Sequence, residues 1–213
     1  MTSLLSSLVA ALLLVNLVAL GSSRIAAVIR AVAIQGVLLG AITAAAHGHL
    51  SRDVIVLVIG SIALKAWLIP VILMRALRQV ALKREVEPSL GFLPSLLLGA
   101  LTTALAVAGS GRLPLAETRL APLLIPASLA TVAVGFILLT TRRKAISQVL
   151  GFLVLENGIF VFGLLLVETM PFLVEAGVLL DLFVGIFVLT IIIHHINREF
   201  SSLDTRRLSL LKE

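Results

Sequence analysis

Residues 146–167 read ISQVLGFLVLENGIFVFGLLLV, a long apolar run with a single ionisable side chain, Glu156, at its centre. An α-helix needs about 20 predominantly apolar residues to cross the hydrocarbon core of a bilayer, and this run supplies them. A strand of an outer-membrane barrel would alternate polar and apolar residues, which this run does not. The stretch therefore reads as a transmembrane helix with a carboxyl at mid-depth, flanked by Arg142-Arg143-Lys144 before it and Glu168 after it.

Working outward, apolar runs bounded by breakers recur along the chain. The spacing predicts spans at 4–20, 25–46, 54–76, 90–109, 120–141, 146–167 and 172–195. Gly21-Ser22-Ser23 ends the first run, and His47-Gly48-His49 with Ser51-Arg52-Asp53 ends the second. Residues 77–89 form the longest polar connection and close at Pro88, while Pro171 stands where a first helical turn tolerates proline. Pro94 falls inside the first turns of the fourth span, and Pro70 is placed to bend the third. The expected fold is an all-α membrane protein, a bundle of about seven transmembrane helices.

Composition excludes the alternative of a soluble domain. Of 213 residues, 60% are hydrophobic and only 13% charged, with a mean hydropathy of +1.17. A soluble domain carries roughly a quarter charged residues, so lipid must be the solvent here. There is no cysteine, which removes thiolate metal sites, iron–sulfur ligation and thiol chemistry from this chain. The net charge of +6 fits basic loops on one side of a membrane, and nucleic acid is not an expected partner. The first run, Leu4 to Leu20, has no basic residue before it, unlike a secretory signal, and is kept as the first span.

Orientation follows from counting Lys and Arg by side. With the N-terminus outside, thirteen of the seventeen fall inside: Arg24, Arg30, Arg75, Arg78, Lys83, Arg84, Arg142, Arg143, Lys144, Arg198, Arg206, Arg207 and Lys212. Three fall outside (Arg52, Arg112 and Arg119), and Lys65 lies within a span. That bias predicts an outer N-terminus and a cytoplasmic C-terminus.

Three ionisable residues sit near mid-bilayer: Lys65 in the third span, Glu156 in the sixth and Asp181 in the seventh. Each costs about 2.5–3.5 kcal/mol on insertion scales, so all three must face the bundle, a partner subunit or water. Two readings compete. In one, Lys65 pairs with one acid as helix-to-helix glue and the other acid is neutral. In the other, the same groups are stations of a proton path. On the last span Asp181, Gly185, Val188, Ile192 and His195 share a face, with His195 about 21 Å along the axis from Asp181. His195 is thus either a proton uptake point or an interfacial residue. Asn157 either orients the surroundings of Glu156, holds a water, or simply packs. No P-loop, dinucleotide fingerprint, Ser–His–Asp pattern or paired haem ligands occur, and no internal repeat of the kind found in transporters.

From Arg142 onward the chain resembles the small three-helix K subunit of complex I and its relative in multi-subunit cation/proton antiporters. The features that carry the likeness are the basic loop Arg142-Arg143-Lys144, the helix with Glu156, the helix with Asp181 four residues before Gly185, and a basic tail. In that family both acids are usually Glu and belong to the proton-conducting axis. The resemblance implies that Glu156 stands for the first and Asp181 for the second, with a side chain about 1.5 Å shorter. Four further helices before such a triplet, with Leu155-Glu156-Asn157-Gly158-Ile159-Phe160 and Lys65-Ala66-Trp67-Leu68-Ile69-Pro70, resemble component E of hydrogenase-4-type formate hydrogenlyase.

That likeness implies three parts: a four-helix membrane segment at 1–110, a K-like three-helix segment at 111–197 and a cytoplasmic basic tail at 198–213. It implies a non-catalytic subunit of a complex I-like hydrogenase assembly in a bacterial or archaeal cytoplasmic (inner) membrane. Its partners would be antiporter-like membrane subunits and a soluble hydrogenase arm. The chain would hold no cofactor, with the nickel–iron centre and iron–sulfur clusters on partner subunits. Glu156, Asp181 and Lys65 would form the proton (or cation) path, with His195 and Asn157 as accessory groups. The rivals are a subunit of a cation/proton antiporter complex, a stand-alone proton-coupled carrier and a purely structural anchor.

Overall fold

The computed structural model describes residues 2–46, 55, 59–60, 62–79, 88–110 and 121–165, and every regular element among them is helical. They form α1 (Thr2–Gly21), α2 (Ile25–Ala46), a π-helical segment (Ile62–Leu68) running into α3 (Ile69–Gln79), α4 (Phe92–Ser110), α5 (Ala121–Thr141) and α6 (Ala145–Gly163). Five of these, α1, α2, α4, α5 and α6, are long and apolar enough to cross a membrane. They fall within a few residues of five predicted spans. The last predicted span, at 172–195, lies outside the described residues, and so do Asp181, His195 and the basic tail.

The third predicted span differs in kind from expectation. Its described part is a turn and more of π-helix followed by α3, where a bent α-helix was expected. Pro70 supplies the physical reason: it has no N–H to give the carbonyl four residues back, and its ring crowds that carbonyl. Widening the preceding turns relieves the crowding and re-aims the side chains within them, Lys65 among them.

In lipid every main-chain polar group must be satisfied within the protein, which is why these runs are helical. The hydroxyls follow the same rule by donating to carbonyls of their own helix. Thr131 donates to Ala127 at 2.7 Å, Ser128 to Ile125 at 2.8 Å and Thr141 to Ile137 at 2.6 Å.

Two apolar clusters fill the bundle, and each long helix of the core passes from one to the other. The first holds Ala19 and Leu20 of α1, Ile25, Val28, Ile29, Ala31 and Val32 of α2, Ile69, Leu73, Ala76 and Leu77 of α3, Val134, Ile137 and Leu138 of α5, and Ile146, Val149, Leu150, Leu153 and Val154 of α6. The second holds Leu5, Val9, Leu12, Leu39, Ile42, Leu124, Ala127, Val161 and Leu164. On α1 the passage between them falls at Asn16, on α2 at Gln35, on α5 at Thr131 and on α6 at Glu156-Asn157. Polar side chains thus form a layer between two oily halves. The order of the clusters along each helix also shows that α1 and α5 run one way and α2 and α6 the other.

At the first cluster's end Arg142 ties three elements together. It is 4% exposed, its Nη2 donates to the Leu20 carbonyl at 2.6 Å, and its guanidinium lies 4.5 Å from the Phe92 ring centre. Leu20 is in the last turn of α1, where carbonyls have no helical partner, so a cation there satisfies both hydrogen bonding and the helix dipole. The sequence places Arg142 with its neighbours in a solvated basic loop. The structure buries it while Arg143 stays exposed and donates to Ser89 Oγ at 3.3 Å.

α5 and α6 touch backbone to backbone. A Cβ on Gly135 would run into the main chain of Leu155, one on Gly151 into Leu138 and Leu139, and one on Gly158 into Val132. With lipid as apolar as leucine, such close approach is what drives helices together. Gly135→Leu should therefore destabilise the protein by about 1–3 kcal/mol, the usual cost of overpacking. Gly109→Ala, which meets open space, should hold or slightly raise stability. Thermal unfolding in a mild detergent compares the two.

Candidate functional site

Lys65 projects from the middle of the π-helical segment into the bundle and is only 4% exposed. Its backbone lies directly on α2, because a Cβ on Gly36 would sit 2.8 Å from the Ala66 nitrogen and 2.9 Å from the Lys65 carbonyl carbon. The absence of a side chain at Gly36 is what lets the backbone of this turn lie so close to α2. Trp67, two residues on, points the other way and is 66% exposed, as suits a lipid-facing residue.

Three side chains of α6 receive the ammonium. Nζ lies 3.9 Å from Glu156 Oε1, donates to Asn157 Oδ1 at 3.5 Å and stands 5.2 Å from the Phe160 ring centre. Glu156, Asn157 and Phe160 follow at helical spacing, so one face of α6 offers a carboxylate, an amide oxygen and an aromatic face to one cation. Glu156 is 9% exposed, and both partners of the pair are thus inside the protein. The structure brings together Lys65, Glu156 and Asn157 of the predicted site residues. Asp181 and His195 are outside the described residues.

Behind Asn157 a series of buried hydrogen bonds crosses the layer. Asn157 Nδ2 donates to Gln35 Oε1 at 3.1 Å, Gln35 Nε2 to Asn16 Oδ1 at 2.6 Å, and Asn16 Nδ2 to Thr131 Oγ1 at 2.8 Å. Gln35 and Thr131 stand at the midpoints of the 22-residue α2 and the 21-residue α5. Asn16, Gln35 and Thr131 were not singled out in the sequence. The available signal was that Asn16 and Gln35 are the one amide side chain each of α1 and α2. Among the described residues no three His, Asp or Glu side chains cluster as metal ligands would. What the arrangement offers is a carboxyl able to gain or lose a proton beside a cation that other groups also hold.

Apolar spans and a buried ion pair between them define a multi-pass helical membrane protein. Over 150 residues, 70% of this chain and 68% of the relative, it is 30% identical to hydrogenase-4 component E of Escherichia coli, with the same figures for that of Shigella flexneri. It is 32% identical over 190 residues, 88% of this chain and 86% of the other, to an uncharacterised protein of Mycobacterium tuberculosis. The chain belongs to the hydrogenase-4 component E family. No family model matches the sequence, and no solved structure matches it.

Breaking a buried ion pair by removing one partner typically costs about 3–5 kcal/mol. Lys65→Met should lower the unfolding temperature of the purified protein. Adding Glu156→Gln to it should cost less than Glu156→Gln costs alone, because the two side chains share one interaction. A thermal-shift series on the two single variants and the double variant measures this.

Proposed function

We propose that this chain is a membrane-arm subunit of a complex I-like, hydrogenase-4-like assembly and contributes buried carboxyls to its proton path. The observation that carries the reading is the Lys65–Glu156 pair, 3.9 Å apart at the centre of the bundle, in a chain of this family. An ion pair between apolar clusters is a costly way to join helices, and its worth lies in the change of charge it permits.

When Glu156 takes up a proton its attraction for the ammonium ends, while Asn157 and the Phe160 ring continue to hold the cation. When the proton leaves, the pair re-forms. Passing protons through this cycle needs a donor on one side and an acceptor on the other. Asp181 is assigned the role of second relay carboxyl, and His195 that of a group at the cytoplasmic end. The redox chemistry would belong to partners, a soluble hydrogenase arm with its nickel–iron centre and iron–sulfur clusters, joined through antiporter-like membrane subunits.

The same reading gives the chain seven spans, with the N-terminus outside and the C-terminus in the cytoplasm of a bacterial or archaeal cell. It comprises a four-helix segment at 1–110, a complex I K-subunit-like segment at 111–197 and a basic tail at 198–213. The ends of α1 and α5 and the starts of α2 and α6, with Arg24, Arg142, Arg143 and Lys144, lie at one end of the bundle, which supports that orientation.

The test is proton movement by the assembled complex in proteoliposomes. Glu156→Gln should abolish proton translocation coupled to the redox reaction while the complex still assembles. Full pumping by that variant overturns the reading.

A further inference from the structure

The hydrogen bonds behind Lys65 have a direction, and it is the same at every link. The ammonium donates to Asn157, Asn157 to Gln35, Gln35 to Asn16, Asn16 to Thr131, and Thr131 to the main-chain carbonyl of Ala127. Both ends are fixed by chemistry. An ammonium only donates, and a carbonyl oxygen only accepts. Between them stand three amides that are each able to turn over in principle. Reversing Asn157 or Gln35 would set donor against donor on one side and acceptor against acceptor on the other, while reversing Asn16 would set donor against donor at Gln35 and draw the Thr131 hydroxyl away from the Ala127 carbonyl. Aligned head to tail, each bond also polarises the next, and the oxygen end of the series faces Lys65.

We propose that Thr131, Asn16 and Gln35 are positioning residues for the Lys65–Glu156 pair. Through the chain of amides they hold Asn157 with its oxygen, and not its NH2 group, toward the ammonium. The effect is on the state in which Glu156 is protonated. Then the carboxyl no longer holds the ammonium by charge, and the oriented Asn157 oxygen keeps Lys65 in place to receive Glu156 when it ionises again. If Asn157 were free to turn over, it would present hydrogens to a cation for part of the time and the pair would re-form slowly. The device begins on α5, at a threonine that touches neither member of the pair through any bond in the series.

This inference rests on the proposed role of Glu156, and the experiment separates the two. The assembled complex in proteoliposomes is measured for proton movement with Thr131→Val, Thr131→Ser, Asn157→Leu and the double variant Thr131→Val/Asn157→Leu. Thr131→Val keeps the shape of the side chain and removes its oxygen. It should slow coupled proton movement roughly fivefold to tenfold, about the worth of one buried hydrogen bond. Thr131→Ser, which restores the oxygen, should restore the rate. In the Asn157→Leu background Thr131→Val should change nothing further, since its effect is routed through Asn157.

Asn16→Ala, which cuts the same link from the other side, should behave as Thr131→Val does. Equal losses from Thr131→Val in both backgrounds, or an unaltered rate in an assembled Thr131→Val complex, overturn the inference. A Glu156→Gln complex that pumps normally overturns the proposed function instead. In that case the coupling is still readable as heat stability: the loss caused by Thr131→Val should shrink when Lys65 is already replaced by Met. A loss independent of Lys65 overturns the inference on its own.

Discussion

An ammonium buried among apolar helices is cut off from bulk solvent, and the protein must build much of its solvent shell from side chains. That constraint orders much of what the structure shows. Lys65 draws a carboxylate, an amide oxygen and an aromatic ring from a single face of α6. The amide then needs a partner for its own NH2 group, that partner needs another, and the demand travels across α2 and α1 until Thr131 hands it to the main chain of α5. One buried charge thus commits side chains of four other elements, α6, α2, α1 and α5.

Packing makes that possible without help from the hydrophobic effect, which has no purchase between helices already in oil. The small residues carry the load. Gly135, Gly151 and Gly158 let α5 and α6 approach to backbone contact, and Gly36 lets α2 approach the widened turn that bears Lys65. Two of these glycines adjoin a polar side chain of the layer: Gly36 is next to Gln35, and Gly158 is next to Asn157. The two apolar clusters above and below then close the layer off from lipid headgroups. Arg142 fastens the far end, where it takes the Leu20 carbonyl at the end of α1 and lies against the Phe92 ring at the start of α4.

Much of this was legible in the sequence, for a reason of energy. A charge inside an apolar run is expensive, so Lys65 and Glu156 announced themselves, and the five described membrane-length helices fell close to their predicted ranges. Amides and threonines are tolerated in such runs at little cost, so Asn16, Gln35 and Thr131 passed unremarked. Nothing local distinguishes a threonine that bonds only its own helix from one that also receives a neighbour's amide. Arg142 was hidden by company, since Arg143 beside it and Lys144 beyond carry the same charge and only a three-dimensional neighbour, the Leu20 carbonyl, separates their roles. Pro70 marked a disturbance in the third span correctly but did not say that the turn would widen instead of kinking. Asp181 and His195 belong to the part of the chain that the described residues do not include.

The polar series also bears on how such a chain is made. Helices enter the bilayer in order of synthesis, and a polar group must wait there until its partner arrives. Asn16 and Gln35 are 19 residues apart on consecutive helices and bond each other directly, so the first hairpin carries its own remedy into the membrane. Lys65 is less fortunate. Asn157, which accepts its hydrogen bond, lies 92 residues later in the chain. Until α6 is made, the carboxylate, amide oxygen and aromatic ring that receive the Lys65 ammonium are absent, so its seat is completed only late in synthesis.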